Sequence, residues 1–151
     1  ARLLDISKVN YELVEYVVDE SDLGAEHIAE QLGENIKQVF KTIVMHGDKT
    51  GKFVCVVPGD AEIDLKKAAS VSGNKKCATL PLKELLPTTG YIRGGCSPIG
   101  MKKQFPTYID ESAKNFEQIY VSAGIRGMQV KLSPKDLANE TKADFCDLIM
   151  E

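Results

Sequence analysis

Lys41 interrupts the run VFKTIV, residues 39–44, which would otherwise be a continuous apolar strand. A lysine there either points outward from a half-exposed strand or reaches into a cavity. An ammonium taken out of water is costly unless it meets an anion, so an inward Lys41 implies a negatively charged ligand. A second feature is the glycine-rich stretch GYIRGGCSPIG, residues 90–100. Gly94 and Gly95 remove two side chains in a row, which lets a ligand lie against main-chain N–H groups. Such donors can hold a carbonyl oxygen as it gains negative charge. Without a ligand the same stretch is a tight turn, with Ser97, Pro98 and Gly100 fixing its exit. Ser122, in YVSAGIRG (120–127), interrupts an apolar strand just before a glycine turn. Its hydroxyl either contacts the polar end of a ligand or caps that turn through its own backbone.

Cys96, in the middle of the glycine stretch, invites a reading as a nucleophile. A reactive cysteine needs a base or a cationic setting to form thiolate. Neither His27 nor His46 is near it in sequence, and Arg93 can equally face solvent. Cys96 therefore reads as the filler of a small apolar space. Cys55, Cys77, Cys96 and Cys146 show no CxxC or other metal-ligand spacing, and the expectation is reduced thiols, no metal and no cofactor.

These residues need a scaffold. The 151 residues suit one domain spanning 1–151, and a hydrophobic fraction of 43% suits a packed core. Apolar runs such as FVCVV (53–57) are strand-length and too short to span a bilayer. The start ARLLDISKVN has no secretory-signal pattern, and the expected location is cytoplasmic. Net charge is −3, with a pI of about 5.5, which argues against gripping nucleic acid over a broad basic surface. A local basic rim is still allowed. Lysine pairs stand at Lys66–Lys67, Lys75–Lys76 and Lys102–Lys103, and each reads as a solvated face unless the pairs converge in space.

The pattern predicts a short helix over 2–8, a strand over 11–18, and a helix through DESDLGAEHIAEQLG that stops at Gly33. Strands VFKTIVM (39–45) and KFVCVVP (52–58) form a hairpin across HGDKTG. A capped helix follows in DAEIDLKKAASVSG, ending at Gly73, and PLKELLP is a short helical piece between prolines. TYID, EQIYVSAG and IRGMQVKLS read as strands, and SPKDLANE as a helix with a serine cap and proline at its first position. ADFCDLIM ends the chain as a helix or an extended tail. Strands joined mostly by short turns, with helices between them, give an α+β fold with a mixed sheet. A strand–glycine–helix dinucleotide fingerprint is absent, because the glycine spacing is wrong.

Together and in this order, VFKTIV, GYIRGGCSPIGMKK with PTYID, and IYVSAGIRGMQVKL resemble the YbaK/EbsC-type aminoacyl-tRNA deacylases. The likeness runs from about Leu3 to the final helix. Within that family the glycine block and the lysine after an aromatic residue resemble the branch that removes cysteine from Cys-tRNA(Pro). The resemblance implies a single domain with a mixed, mostly antiparallel, barrel-like sheet and helices packed around it. It also implies an editing enzyme acting in trans. Prolyl-tRNA synthetase charges cysteine by mistake because an apolar pocket separates near-isosteres by only ~10- to 200-fold, and a second, hydrolytic site is the physical remedy.

Carried onto this chain, the resemblance makes Lys41, Gly94 and Gly95 catalytic. Lys41 would meet the terminal adenosine or its phosphate, and the main-chain amides would hold the ester carbonyl. Tyr16, Thr42, Tyr91 and Ser122 would bind substrate. No protein nucleophile is implied; the substrate's own thiol would attack its ester, releasing tRNA. The implied partners are misacylated tRNA(Pro) and, in a transient complex, prolyl-tRNA synthetase, with no membrane and no metal. Leu23 stands where relatives often have phenylalanine, the segment between Tyr16 and Gly24 is a residue shorter than in some of them, and Gln129 replaces an acidic residue. The alternatives are an alanine-specific deacylase of the same fold and a non-catalytic tRNA- or nucleotide-binding module.

Overall fold

Strands β2 (Phe40–Gly47) and β3 (Gly51–Pro58) form the expected hairpin, in register from Phe40 opposite Pro58 to Gly47 opposite Gly51. In the computed structural model, which describes residues 11–17, 25–33, 35–93 and 95–150, the turn between them is Asp48–Thr50. Asn74 fastens that turn. Its Oδ1 accepts from the amides of Lys49 and Thr50 at 2.8 Å each, and its Nδ2 donates to the hydroxyls of Thr50 and Ser72. Gly47 makes room for it: a Cβ there would lie 2.2 Å from Asn74 Nδ2.

The remaining strands are β1 (Tyr11–Glu15), β4 (Cys77–Thr79), β5 (Thr107–Asp110), β6 (Ile119–Ser122), β7 (Met128–Leu132) and β8 (Asp144–Cys146). The helices are α1 (Ala25–Leu32), α2 (Leu65–Ser72), α3 (Leu82–Thr89) and α4 (Pro134–Thr141). Five strands form one sheet in the order β4-β2-β3-β5-β8, and three form another in the order β1-β7-β6. Pairings are antiparallel except β3–β5 and β5–β8. An isolated parallel bridge between Val39 and Tyr120 joins the two sheets. The architecture is α+β with mixed sheets, and among the described residues the sheets do not close into a barrel.

Strand alternation divides the core. Phe40 and Val44 of β2 face a cluster with Val54, Val56, Ile109, Val121, Val130 and Leu132. On the other face Ile43 and Met45 pack with Phe53, Cys55, Val57, Ala68 and Leu148. A third cluster joins Val39 and Tyr120 to Ile28 and Ala29 of α1, with Val14 and Tyr16 against it.

Local signals end the helices where the sequence places them. Asp64 caps α2 through the amides of Lys66 and Lys67, and Gly73 closes it at φ 81°. Ser133 caps α4 ahead of Pro134, and Gly33 follows α1 at φ 68°. One expectation needs correction, and two strands go beyond what the sequence predicts. The piece between prolines does not stop at Pro87; α3 runs on to Thr89, whose hydroxyl bonds to Leu85 O, and closes at Gly90. Residues 144–146 form β8, parallel to β5, and Asp110 Oδ1 accepts the Leu148 amide beyond it at 3.0 Å. Strand β4, on the outer edge of β2, is absent from the sequence reading. The helix expected over 2–8 lies outside the described residues, as does Gly94.

Candidate functional site

The candidate site is built outward from the Val39–Tyr120 bridge. On β2, alternation puts Lys41 on the side of Val39 and Ile43; on β6 it puts Ser122 on the side of Tyr120. Because the bridge is parallel, Lys41 and Ser122 are carried two residues beyond it in the same direction and on the same face. Tyr16 packs into this cluster, and its amide donates to Gly127 O at 2.9 Å.

Lys41 is half-buried. Its Nζ donates to Ala61 O at 2.6 Å, and among the described residues it makes no ion pair within 4.0 Å. Burial holds its pKa below the ordinary lysine value, opposed by the more distant charges of Glu62 and Asp60. The ammonium is partly stripped of water and has one neutral main-chain acceptor, so an anion brought to it would be strongly attracted.

Ser122 is buried at 8% exposure, and its Oγ accepts the Gly124 amide at 3.3 Å. The hydroxyl thus caps the turn, leaving its own proton to donate. Directly across the ladder from it stands Gln129, 2% exposed, whose Oε1 has no hydrogen-bond partner. A buried acceptor without a donor is costly in a resting protein, and a ligand donor would satisfy it. Gln129 entered the sequence reading as a replaced acidic residue, without a role. Nothing in the sequence places it opposite Ser122.

The glycine loop lies against the β6–β7 turn. A Cβ on Gly95 would stand 3.2 Å from Arg126 N and 3.3 Å from the Ile125 carbonyl carbon, while Arg126 Nε donates to Arg93 O at 2.8 Å. Tyr91 ties the same pair of loops. Its hydroxyl donates to Ile99 O, and its ring fills the space over Gly124, where φ is 103°. Burial raises the Tyr91 pKa and keeps the phenol protonated. Lys41, Ser122, Tyr16, Tyr91 and Gly95 are thus linked through β6 and the turn that follows it. Thr42 is not on their side: it shares a face with Phe40 and Val44, and its buried Oγ1 has no partner there.

Comparison with known proteins gives the family. The model of the aminoacyl-tRNA editing domain matches residues 14–140. The chain belongs to that family. A protein of Enterococcus faecalis (strain ATCC 700802 / V583), named "Putative Cys-tRNA(Pro)/Cys-tRNA(Cys) deacylase EbsC", is 52% identical over 97% of this chain and 90% of its own length. A proline–tRNA ligase of Fervidobacterium nodosum is 28% identical over 61% of this chain, which corresponds to 16% of the ligase. The crystal structure of a "putative trans-editing enzyme for prolyl tRNA synthetase" superposes with a TM-score of 0.83 at 27% identity, over 93% of this chain and 87% of that one.

In this editing domain Cys96 packs against the main core, half-buried. Desolvation pushes its pKa up to about 11, and the side-chain hydrogen bond with Thr89 offsets only part of that rise. At neutral pH it is a thiol, in the environment of a filler. Among the described residues no cluster of His, Cys, Asp or Glu has the makings of a metal site, and no helix is long and apolar enough to cross a membrane.

Proposed function

We propose that this chain is a trans-acting editing deacylase that removes cysteine from misacylated Cys-tRNA(Pro). The observation that carries this reading is the half-buried Lys41 ammonium, bonded to Ala61 O, on the face that also holds Ser122. A cation so placed suits an anionic end such as the 3′-terminal nucleotide of a tRNA. The likeness to the Enterococcus faecalis protein supports cysteine as the removed group.

In this reading Lys41 anchors the terminal adenosine or its phosphate. Main-chain N–H groups of the Gly94–Gly95 stretch polarise the ester carbonyl once the Gly95 amide is released from Ile92 O, to which it donates at 3.0 Å, and Tyr16, Tyr91 and Ser122 shape or touch the bound end. The substrate's own sulfur, as thiolate, attacks the ester carbonyl carbon. A C–S bond forms, the bond from the carbonyl carbon to the ribose oxygen breaks, and that oxygen leaves with the proton the thiol gave up, carried by water. The cyclic thiolactone left behind is opened by water to cysteine. The enzyme's contribution is positioning and oxyanion stabilisation, which can supply large accelerations without a protein nucleophile. Prolyl-tRNA synthetase is the partner that supplies the mischarged tRNA.

The deciding measurement is release of radiolabelled cysteine from Cys-tRNA(Pro) at catalytic enzyme concentrations, beside the same tRNA carrying serine, alanine or 2-aminobutyrate. Turnover of the cysteine ester alone supports sulfur-assisted cleavage. Equal turnover of the 2-aminobutyryl ester overturns that mechanism, and preference for alanine reassigns the substrate.

A further inference from the structure

We infer that the tip of the β2–β3 hairpin, with the edge of β4 beside it, is a docking surface for the phosphate backbone of the RNA whose 3′ end occupies the site. This inference rests on the proposed editing function, and it names where the body of that substrate is held.

The sequence leaves three lysine pairs undecided, and their surroundings now separate them. Lys66–Lys67 does not join a patch: Lys67 is engaged by Asp147 at 2.9 Å and by Ile149 O. Lys75–Lys76 is drawn to the hairpin turn, because Asp48 Oδ1 accepts both of their amides, at 3.0 and 3.2 Å. Lys49 sits in that same turn, its amide fixed by Asn74. Lys103, from the third pair, lines a hollow of about 380 Å³ together with His46, Lys52 and Gln104. Its partner Lys102 runs its stem over Gly90 and is not part of that lining.

The result is five lysines (49, 52, 75, 76 and 103) and His46 around one corner, in a chain whose net charge is −3. Among the described residues none of these five lysines makes an ion pair with a carboxylate. The local acid, Asp48, is occupied by backbone N–H groups, and those bonds keep its carboxyl below the usual range and ionised. The five lysines outnumber Asp48, whose charge reaches Lys49, and the excess of like charge suits a polyanion that relieves the repulsion. The amide clamp of Asn74 holds the turn in place, so the charges are presented on a formed platform.

Spacing favours RNA as the occupant. From Lys41 to Gly47 along β2 is about 20 Å, at the usual rise per strand residue. The aminoacylated end of a tRNA is single-stranded for only a few nucleotides before the acceptor stem begins, so a patch this far from the anchored end meets phosphates of the stem. His46 and Lys52 project from the sheet face opposite Lys41, whereas Lys49 lies in the turn and Lys75–Lys76 beside it. The backbone would therefore cross over the hairpin tip. Such contacts are independent of base sequence and weaken with salt.

The test is binding of unacylated tRNA(Pro) transcript, followed by fluorescence anisotropy across a KCl series. The quadruple variant Lys52→Gln, Lys75→Gln, Lys76→Gln, Lys103→Gln is compared with a Lys66→Gln, Lys135→Gln control. The expected result is about tenfold weaker binding at low salt, and a log–log salt slope shallower by about 4 for the four lost phosphate contacts. The control keeps the wild-type slope. In parallel, kcat/KM for full-length Cys-tRNA(Pro) relative to a cysteinylated CCA trinucleotide falls about tenfold in the quadruple variant. An unchanged slope and an unchanged ratio overturn the inference. So does loss of binding to prolyl-tRNA synthetase with tRNA affinity intact, which would make the patch a protein contact. If wild-type protein cleaves neither ester, the editing function fails, and the salt slope still decides the patch by itself.

Discussion

Gly95 rests on the main-chain nitrogen of Arg126: a methyl group on Gly95 would stand 3.2 Å from it. The glycine loop and the β6–β7 turn are thereby packed backbone against backbone, and Arg126 locks them with its bond to Arg93 O. Gly95→Ala should force these loops apart, at about 1–3 kcal/mol in stability. The deacylation rate should fall further than the lost stability explains. Urea unfolding beside kcat/KM on Cys-tRNA(Pro) checks both; a variant with wild-type turnover would remove this packing from the mechanism.

Lys41→Ala should lower kcat/KM by about a hundredfold, the scale of losing one partly buried charge contact to the bound tRNA end. Cys96→Ala should stay within about threefold of wild type, since a filler's loss is a packing change. Single-turnover kinetics on the two variants separate these outcomes.

Three desolvated thiols, one buried and two half-buried, set the alkaline limb of stability. Cys55 is pushed up to about 12, and Cys96 and Cys146 to about 11, chiefly by desolvation, from an ordinary value of 9.0. Their contribution is fully present below pH 9.0, because both states are then protonated. Above it the unfolded chain ionises first, and stability falls as pH rises toward 11 and 12. Lys41 has the opposite sign: its lowered pKa costs stability at neutral pH, and the cost fades as pH approaches 10.5. Chemical denaturation from pH 8 to 11 should show a decline that Cys96→Ala makes shallower. Lys41→Met should gain most at the neutral end of that range.

Gln129→Met should raise stability by about 1 kcal/mol, because it removes a buried acceptor that has no partner, and should lower kcat/KM about tenfold. Thermal melts and deacylation assays on one preparation read both. A stabilised variant with unchanged activity would mean that the amide serves no ligand.

Asn74→Ala should cost about 2–3 kcal/mol, since it strips the Lys49 and Thr50 amides of their acceptor in the hairpin turn. Faster hydrogen exchange confined to those amides and their neighbours is the expected signature.

Much of this was legible from local chemistry. Asp64, Ser133 with Pro134, and Gly73 announce helix ends because capping involves only neighbours in the chain. The hairpin was equally plain, as its two strands adjoin. β8 was not, because three residues carry no readable period and their pairing with β5 is long-range. Thr42 shows the same limit within the site. It adjoins Lys41 in sequence, yet a strand sends successive side chains to opposite faces. Gln129 gains its importance only from the register opposite Ser122, and the lysine pairs gain theirs from one aspartate that draws Lys75–Lys76 to the hairpin.

The bridge between Val39 and Tyr120 has a consequence for how such a protein can vary. Lys41 belongs to one sheet and Ser122 to the other, so the gap between them is governed by how the two sheets lean on each other at this seam. A bulkier or slimmer residue at either bridge position would widen or narrow that gap. On the proposed function, selectivity would then drift through the contact between the sheets while Lys41 and Ser122 themselves stay the same.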